Sequence, residues 1–115
     1  IDGVIIVTIP SELSKLIVAK AVSFCKKLEL PILGVIENMS WFTCPSCGAR
    51  VEIFTGGGGE KLAREMGLKL LGRIPLDPNI AKASDLGEPY VISYPDSPGA
   101  QEFLKIAEKI EETLA

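Results

Sequence analysis

Two cysteines spaced as CxxC, Cys44 and Cys47 in the segment CPSCG, are the side chains of this chain best suited to chemistry. Such a pair can act as a thiol-disulfide catalyst or as two ligands of a metal ion. A catalytic thiol of this kind begins a helix, whose dipole lowers its pKa. Here Gly48 follows directly, and residues 49–54 alternate as in a strand. The pattern therefore favours a metal-binding turn at the tip of a small hairpin formed by residues 41–43 and 50–54.

Apart from this pair, the sequence offers few ligands for a metal ion or cluster. A tetrahedral zinc site or an iron-sulfur cluster needs about four protein ligands, and the sequence contains three cysteines and no histidine. Cys25 falls within a helical pattern, where a buried structural cysteine is expected. The simplest way to reach four thiolates is a two-fold dimer in which each subunit contributes Cys44 and Cys47.

A run of four glycines, residues 56–59, suggests a phosphate-binding loop ahead of a helix. The P-loop pattern requires GxxxxGK followed by Ser or Thr, and the segment GGGGEKL does not match it. Glu60 would also place a negative charge where a phosphate should bind. The run is therefore interpreted as a turn that needs positive φ angles.

Composition narrows the partners and the compartment. The net charge of −3 provides no basic surface for nucleic acid or an anionic membrane. No apolar run approaches the roughly 20 residues that span a bilayer, and nothing at the start of the chain resembles a signal peptide. An odd number of cysteines, two of them in one CxxC, is typical of a cytosolic metal or redox site. We expect a cytoplasmic protein.

The hydrophobic pattern predicts alternating strands and helices. Residues 3–9 and 31–36 are β-branched runs typical of strands buried on both faces, and residues 69–74 predict a third strand. The first two flank an amphipathic helix that Ser11 caps. The apolar stripe predicted for this helix consists of Leu13, Leu16, Ile17, Ala21, Phe24 and Leu28.

Three more helices are predicted after the glycine run. Residues 60–66 form the first, with Leu62, Ala63 and Met66 on one face and Gly67 beyond its end. Residues 77–86 form the second, with Asp77 as cap and Pro78 at the first position. Ser97 caps the last, whose predicted stripe contains Phe103, Leu104, Ala107, Ile110 and Leu114. Residues 90–92 are expected to be a short edge strand or extended chain.

This alternation indicates an α/β fold with a mainly parallel sheet. Since only three good strands are present, we expect the sheet to be incomplete. The chain begins at Ile1, without an initiator methionine, and enters a strand almost at once. We therefore expect it to be a piece of a longer protein. The open sheet edge of the isolated piece would be an association hazard.

Three segments in fixed order carry a resemblance: GVIENMSWFTCPSCG, then EIFTGGGGEKLA, then LGRIPLDPNI. Together they resemble the C-terminal half of the Mrp/ApbC-type iron-sulfur carrier ATPases, relatives of the MinD and ParA deviant-Walker NTPases. The similarity extends over essentially the whole chain. It implies a P-loop NTPase fold that carries a CPxC hairpin knuckle, with residues 1–115 forming the C-terminal portion of one domain and residues 39–56 an inserted metal-binding knuckle.

The resemblance also implies the function and the site residues. Such a protein would hydrolyse ATP with Mg²⁺, hold a [4Fe-4S] cluster between two subunits through Cys44 and Cys47, and pass the cluster to apo-proteins. Asn38 matches the position that contacts the adenine base in related NTPases, and the backbone around Pro75, Leu76 and Asp77 would line the same base. Ligands of open α/β sheets do bind beyond the carboxyl ends of the strands. From the residues alone, Asn38 can equally serve as the cap of a turn or helix, and for Asp77 capping of the next helix is favoured over contact with a ligand.

The chain departs from the family by lacking a Walker A loop and an acidic magnesium ligand after an early strand. Both are expected in a preceding half, so this piece alone should not hydrolyse ATP. A structural zinc knuckle that clasps a regulatory ATPase dimer is the main alternative, and a thiol oxidoreductase is a weaker one.

Overall fold

A computed structural model describes residues 1–44, 46–53 and 58–114. Predictions that involve Pro45 or residues 54–57, including the first half of the glycine run, lie outside the described residues. The elements in chain order are β1 (Val4–Thr8), α1 (Glu12–Lys27), β2 (Ile32–Glu37), β3 (Phe42–Thr43), β4 (Arg50–Val51), α2 (Gly58–Met66), β5 (Leu70–Arg73), α3 (Pro78–Asp85), α4 (Tyr90–Ser93) and α5 (Pro98–Leu114).

Strands β1, β2 and β5 form a parallel sheet with β2 in the centre. The pairing continues past the strands, because Asn38 N–H donates to Thr8 O at 2.6 Å and Ser40 N–H donates to Ile74 O at 2.9 Å. The residues that follow each strand therefore meet at one edge of the sheet. The predicted α/β class with a parallel sheet is confirmed.

Each face of the sheet packs against helices. Side chains alternate between the two faces along a strand, so Ile6 and Val35 face α1 and α2, whereas Ile5 and Ile36 face α5. The first cluster contains Ile6, Val18, Val22, Val35, Leu62 and Ala63. The second contains Leu71, Ile74 and Ile106, with Ile5, Ile36, Ile80 and Ile110 packed against it. The sheet edge that carries the candidate site is thus supported from both sides.

The helix caps agree with the sequence. Ser11 Oγ accepts from Ser14 N–H at the start of α1, and Asp77 accepts from Asn79 N–H at the start of α3. Ser97 Oγ accepts from Ala100 N–H at 3.2 Å. Gly67 follows α2 with a φ of 68°, as its predicted position beyond the helix end requires.

The apolar stripe predicted for α1 is wrong, because it does not face the sheet. The buried side chains of α1 are Val18, Val22 and Cys25, and the first two pack on the sheet. Five of the six predicted residues are 55–75% exposed, namely Leu13, Leu16, Ile17, Phe24 and Leu28, and Ala21 is exposed as well. Apolar residues occupy most of the circumference of this helix, so periodicity alone does not indicate which side contacts the sheet.

Two predictions near the C-terminus also need correction. Residues 90–92 are neither a strand nor extended chain, because Tyr90–Ser93 forms the short helix α4. In α5 the residue buried against the sheet is Ile106, which the predicted stripe omitted, while Phe103, Leu104, Ala107 and Leu114 are exposed. Ile110 of that stripe does pack against the core.

Among the described residues, no helix has both the length and the apolar character needed to cross a membrane.

Candidate metal knuckle and nucleotide-side cavity

The cysteine pair lies on a small hairpin, which we call the cysteine knuckle and define as β3, β4 and the turn between them. Phe42 pairs with Val51 and Thr43 with Arg50 in an antiparallel ladder. Within the turn, Cys44 N–H donates to Ala49 O and Gly48 N–H donates to Cys44 O, both at 2.8 Å. Gly48 has a φ of 74°, a conformation that favours glycine. The hairpin predicted from the sequence is therefore present, but its ladder is shorter than predicted, because it ends at Val51.

Cys44 and Cys47 are free thiols, the first half-buried and the second exposed. Hydrogen bonds to Cys44 from the backbone of Cys47, and next from that of Ser46, lower the pKa of the Cys44 thiol, and the Cys47 side chain adds to this effect. The thiolate is the form that binds metals. A turn that lowers the pKa of its thiol is thus suited to hold a thiolate ligand.

The knuckle provides only part of a metal site. Cys25 is buried in α1, as expected for a structural cysteine. Across residues 1–44, 46–53 and 58–114, no cluster of three or more histidine, cysteine, aspartate or glutamate side chains could bind one metal ion. The two thiols of the knuckle would therefore need ligands from elsewhere to complete four-fold coordination.

A cation-π contact joins the second strand of the knuckle to the residue that precedes its first strand. The guanidinium of Arg50 lies 3.8 Å from the ring centroid of Trp41, and Trp41 is itself buried. Leu76 N–H donates to Trp41 O at 2.7 Å, which joins the knuckle to the segment after β5. This contact was not predicted from the sequence, although an arginine diagonal to a tryptophan across a short hairpin was a usable signal.

All four residues predicted to surround the adenine base line one cavity at the carboxyl edge of the sheet. This Asn38 cavity has a volume of about 140 Å³ and is lined by Asn38, Met39, Pro75, Leu76, Asp77, Ile80 and Ala81. Met39 has a φ of 54°, which is uncommon for a residue other than glycine. Such left-handed residues are found at functional sites more often than elsewhere.

The Asp77 side chain has a structural task. Its Oδ1 accepts from Asn79 N–H at 2.9 Å, and its Oδ2 accepts from Tyr90 Oη–H at 2.7 Å. Ser97 Oγ–H in turn donates to Tyr90 Oη at 2.8 Å. Both carboxylate oxygens therefore already accept a hydrogen bond from within the protein. The capping role that the sequence predicts for Asp77 is the observed one.

The segment Pro75 to Asp77 separates the two candidate sites. On one side it lines the Asn38 cavity, and on the other it lines a second cavity of about 140 Å³ together with Phe42 and Thr43 of the knuckle. The structure thus brings Asn38 and the Pro75–Asp77 segment together, and it places the knuckle next to them.

Comparison with known proteins identifies the family. A family model described as "ParA: NUBPL iron-transfer P-loop NTPase" matches residues 1–111. The chain belongs to this family. Its relatives include a protein of Saccharolobus solfataricus named "Iron-sulfur cluster carrier protein", which is 54% identical over 110 residues. That match covers 96% of this chain and 37% of the relative.

Solved structures of related NTPases have the same fold as this member of the iron-transfer family. The septum site-determining protein MinD from Pyrococcus horikoshii, complexed with Mg-ADP, has a TM-score of 0.75 at 31% identity and covers 97% of this chain. A nucleotide-binding protein from Archaeoglobus fulgidus, in complex with ADP, has a TM-score of 0.70 at 35% identity and covers 89%. This chain spans 42% and 40% of those two chains, and less than half the length of the curated relatives it matches.

Proposed function

We propose that this chain is the cluster-holding and base-binding portion of an ATP-dependent iron-sulfur carrier. In this proposal the cargo is a [4Fe-4S] cluster, bound between two copies by Cys44 and Cys47 of each, and delivered to apo-proteins. The observation that carries the proposal is the short hairpin turn that holds Cys44 and Cys47 as free thiols. The names of the relatives and the iron-transfer family support the same role.

The ligand count is the reason for two copies. A [4Fe-4S] cluster takes four cysteine thiolates, whereas each knuckle supplies two. In a two-fold dimer the same surface of each subunit faces its counterpart, so two knuckles would present four sulfurs to one cluster. The exposure of Cys47 and of Val51 suits a surface that meets a second copy.

The nucleotide site of the proposal is the Asn38 cavity. Asn38 would bond to the edge of the adenine base, and the backbone of Pro75, Leu76 and Asp77 would line it. Two structural relatives were solved with ADP or Mg-ADP, and the cavity lies beyond the carboxyl ends of the strands, where such folds bind ligands.

The division of the domain is part of the proposal. Residues 1–115 would be the C-terminal portion of one P-loop NTPase domain, and the inserted knuckle would extend over residues 39–56. The phosphate loop and the Mg²⁺ ligands would belong to another portion of a longer chain. That portion would cover the exposed Leu16, Ile17 and Phe24 of α1. ATP hydrolysis is then expected only of the full-length protein. In the cytoplasm, the reducing environment would keep the thiols free.

Anaerobic reconstitution with iron and sulfide tests the cargo directly. The full-length protein should develop the absorption of an iron-sulfur cluster, and Cys44→Ala and Cys47→Ala should each abolish it. Cys25→Ala is the matched control, because it removes a thiol of the same chain that lies outside the knuckle; it should retain the absorption. A wild-type protein that stays colourless would contradict the carrier role.

A structural zinc knuckle is the second candidate, because a hairpin that presents two thiolates in one tight turn also suits zinc. Zinc would then clasp the dimer of a regulatory ATPase without being transferred. Metal analysis after aerobic purification distinguishes the two. Zinc that remains bound at one ion for each pair of chains, together with no cluster transfer to an apo-acceptor, would favour the structural zinc site.

A further inference from the structure

Glu37 is a buried carboxylate that has no role in the proposed function. It lies at the carboxyl end of β2, and 2% of its surface is exposed. Ser40 Oγ–H donates to its Oε2 at 2.5 Å, Gly59 N–H donates to its Oε1 at 2.9 Å, and Arg73 Nε lies 3.0 Å from Oε2. A buried charge is tolerated only when it is paired and hydrogen-bonded, so this arrangement holds several groups in fixed positions.

The two hydrogen-bond donors come from opposite ends of one segment. Ser40 immediately precedes Trp41 and the first strand of the cysteine knuckle, and it is 1% exposed. Gly59 lies in the first turn of α2, the helix that follows the knuckle. One carboxylate therefore bonds to the residue before the cysteine-bearing segment and to the helix after it.

The contact at Gly59 leaves no space for a side chain. A Cβ built at this position would lie 2.8 Å from Glu37 Cβ and 3.0 Å from Glu37 Cγ. The first turn of α2 thus rests directly on the Glu37 side chain. An alanine here would have to push the helix and the carboxylate apart.

Arg73 forms an ionic contact with the same carboxylate. Its Nε has no partner in hydrogen-bond geometry among the described residues, so the Glu37 contact is ionic and not an aligned hydrogen bond. Arg73 Nη2 also lies 3.3 Å from Glu60 Oε2. Since half of the Glu60 side chain is exposed, solvent screens this outer pair, and Glu37 is the inner, structurally important partner.

We propose that Glu37 is a positioning residue for the cysteine knuckle. By bonding to Ser40 and Gly59 at once, its carboxylate sets the distance between the two ends of the segment, and with it the direction in which Cys44 and Cys47 face a second copy. The strands of the knuckle have two residues each, so their own ladder is too short to fix that direction. We call the contacts of the Glu37 carboxylate with Ser40 and Gly59 the Glu37 clasp. The Glu37 clasp is present in the metal-free protein, whereas its effect on metal binding rests on the proposed function.

Hydrogen exchange on the reduced, metal-free, full-length protein tests the clasp. Glu37→Gln keeps the side-chain volume but removes the charge and one acceptor. We expect the amides of residues 42–53 to exchange about tenfold faster in this variant. Gly59→Ala perturbs the same contact from the other side and should produce the same change, which keeps the test decisive if Glu37→Gln does not fold.

Two control variants separate positioning from general loss of stability. Glu60→Gln removes a carboxylate from the outer part of the same ion network, and Ile106→Ala weakens the core between the sheet and α5, on the face opposite α2. Neither should change exchange in residues 42–53 beyond what its own melting temperature explains. Exchange that is equal in wild type, Glu37→Gln and Gly59→Ala would overturn the clasp.

Titration with Co²⁺ connects the clasp to metal binding, because the ligand-field bands of Co²⁺ report the geometry of thiolate sites. Glu37→Gln and Gly59→Ala should weaken Co²⁺ binding about 10- to 100-fold and shift these bands, while both controls match the wild type. Wild-type affinity and bands in both clasp variants would overturn positioning. A wild-type protein without cysteine-dependent bands would instead contradict the proposed function, and hydrogen exchange would still decide the clasp.

Discussion

In the parallel sheet, Leu71 is completely buried, whereas Val51 on the cysteine knuckle is 48% exposed. The sheet is held together by apolar packing on both faces. The knuckle is held by backbone hydrogen bonds around Cys44 and by the contact between Arg50 and Trp41. Stability therefore depends mainly on the sheet, whereas the proposed metal chemistry depends on the knuckle, and the two regions meet at Glu37.

The largest expected effect comes from the sheet. Leu71→Ala should lower the free energy of unfolding by about 2–5 kcal/mol, because it removes a completely buried side chain and leaves a cavity. Val51→Ala on the knuckle should change it by less than about 0.5 kcal/mol. Denaturant titration of both variants measures the contrast. Equal losses would show that the knuckle is part of the core.

An intermediate effect is expected at Asp77, where the sheet edge meets the Asn38 cavity. Asp77→Ala removes the cap of α3 and the partner of Tyr90 Oη. It should lower the free energy of unfolding by about 1–2 kcal/mol. Asp77→Asn keeps a capping oxygen and should cost less. Asp85→Ala, at the other end of α3, is the exposed control and should be close to neutral.

Nucleotide binding sharpens this prediction. If only the backbone of Asp77 faces the base, Asp77→Asn should leave ADP affinity unchanged in the full-length protein, while Asn38→Ala should weaken it. Isothermal titration of the two variants provides the comparison. Weaker ADP binding in Asp77→Asn, at unchanged stability, would show that the carboxylate contacts the nucleotide.

A smaller, pH-dependent effect is expected at Tyr90. Burial is the main cause that raises the pKa of its phenol above the ordinary value of 10.0, and Asp77 adds to the shift. The folded state therefore holds this proton more tightly than the unfolded state. The associated stability is fully present below pH 10 and is lost as the pH rises through the raised pKa.

Tyr90→Phe tests this linkage, because it removes the proton together with the hydrogen bonds to Asp77 and Ser97. We expect a loss of about 1 kcal/mol at neutral pH and a flatter dependence of stability on pH above 10. Unfolding curves recorded from pH 8 to 11 provide the measurement. An unchanged slope in the variant would mean that another group titrates in this range.

The smallest effect is expected for the surface pair of Lys15 and Glu65, whose Nζ and Oε2 are 2.8 Å apart. Their hydrogen bond raises the pKa of Lys15 and lowers that of Glu65. Its contribution should be lost as the pH falls through the lowered pKa of Glu65 or rises through the raised pKa of Lys15. Glu65→Gln should behave like wild type in about 1 M salt, where such pairs are screened.

Local patterns predicted much of the fold. The β-branched runs indicated β1 and β2, and the caps Ser11 and Asp77 marked the starts of α1 and α3, because these signals depend on residues close in sequence. The hairpin around Cys44 was predictable for the same reason. A tight turn with glycine at its end constrains the chain locally.

Features that depend on distant contacts were missed. Residues 90–92 are β-prone, yet they form α4, where the buried Tyr90 ring packs close to Gly99 and its hydroxyl reaches Asp77. Tertiary packing overrides local propensity in such cases. The bonds of Glu37 to Gly59, 22 residues away, could not be inferred from spacing either.

Native mass spectrometry of the anaerobically reconstituted full-length protein would show whether two knuckles share one cluster. We predict a species of two chains with four irons and four sulfides, which is absent in Cys44→Ala and Cys47→Ala. A complete cluster on a single chain, or a dimer whose only metal is zinc, would contradict the account.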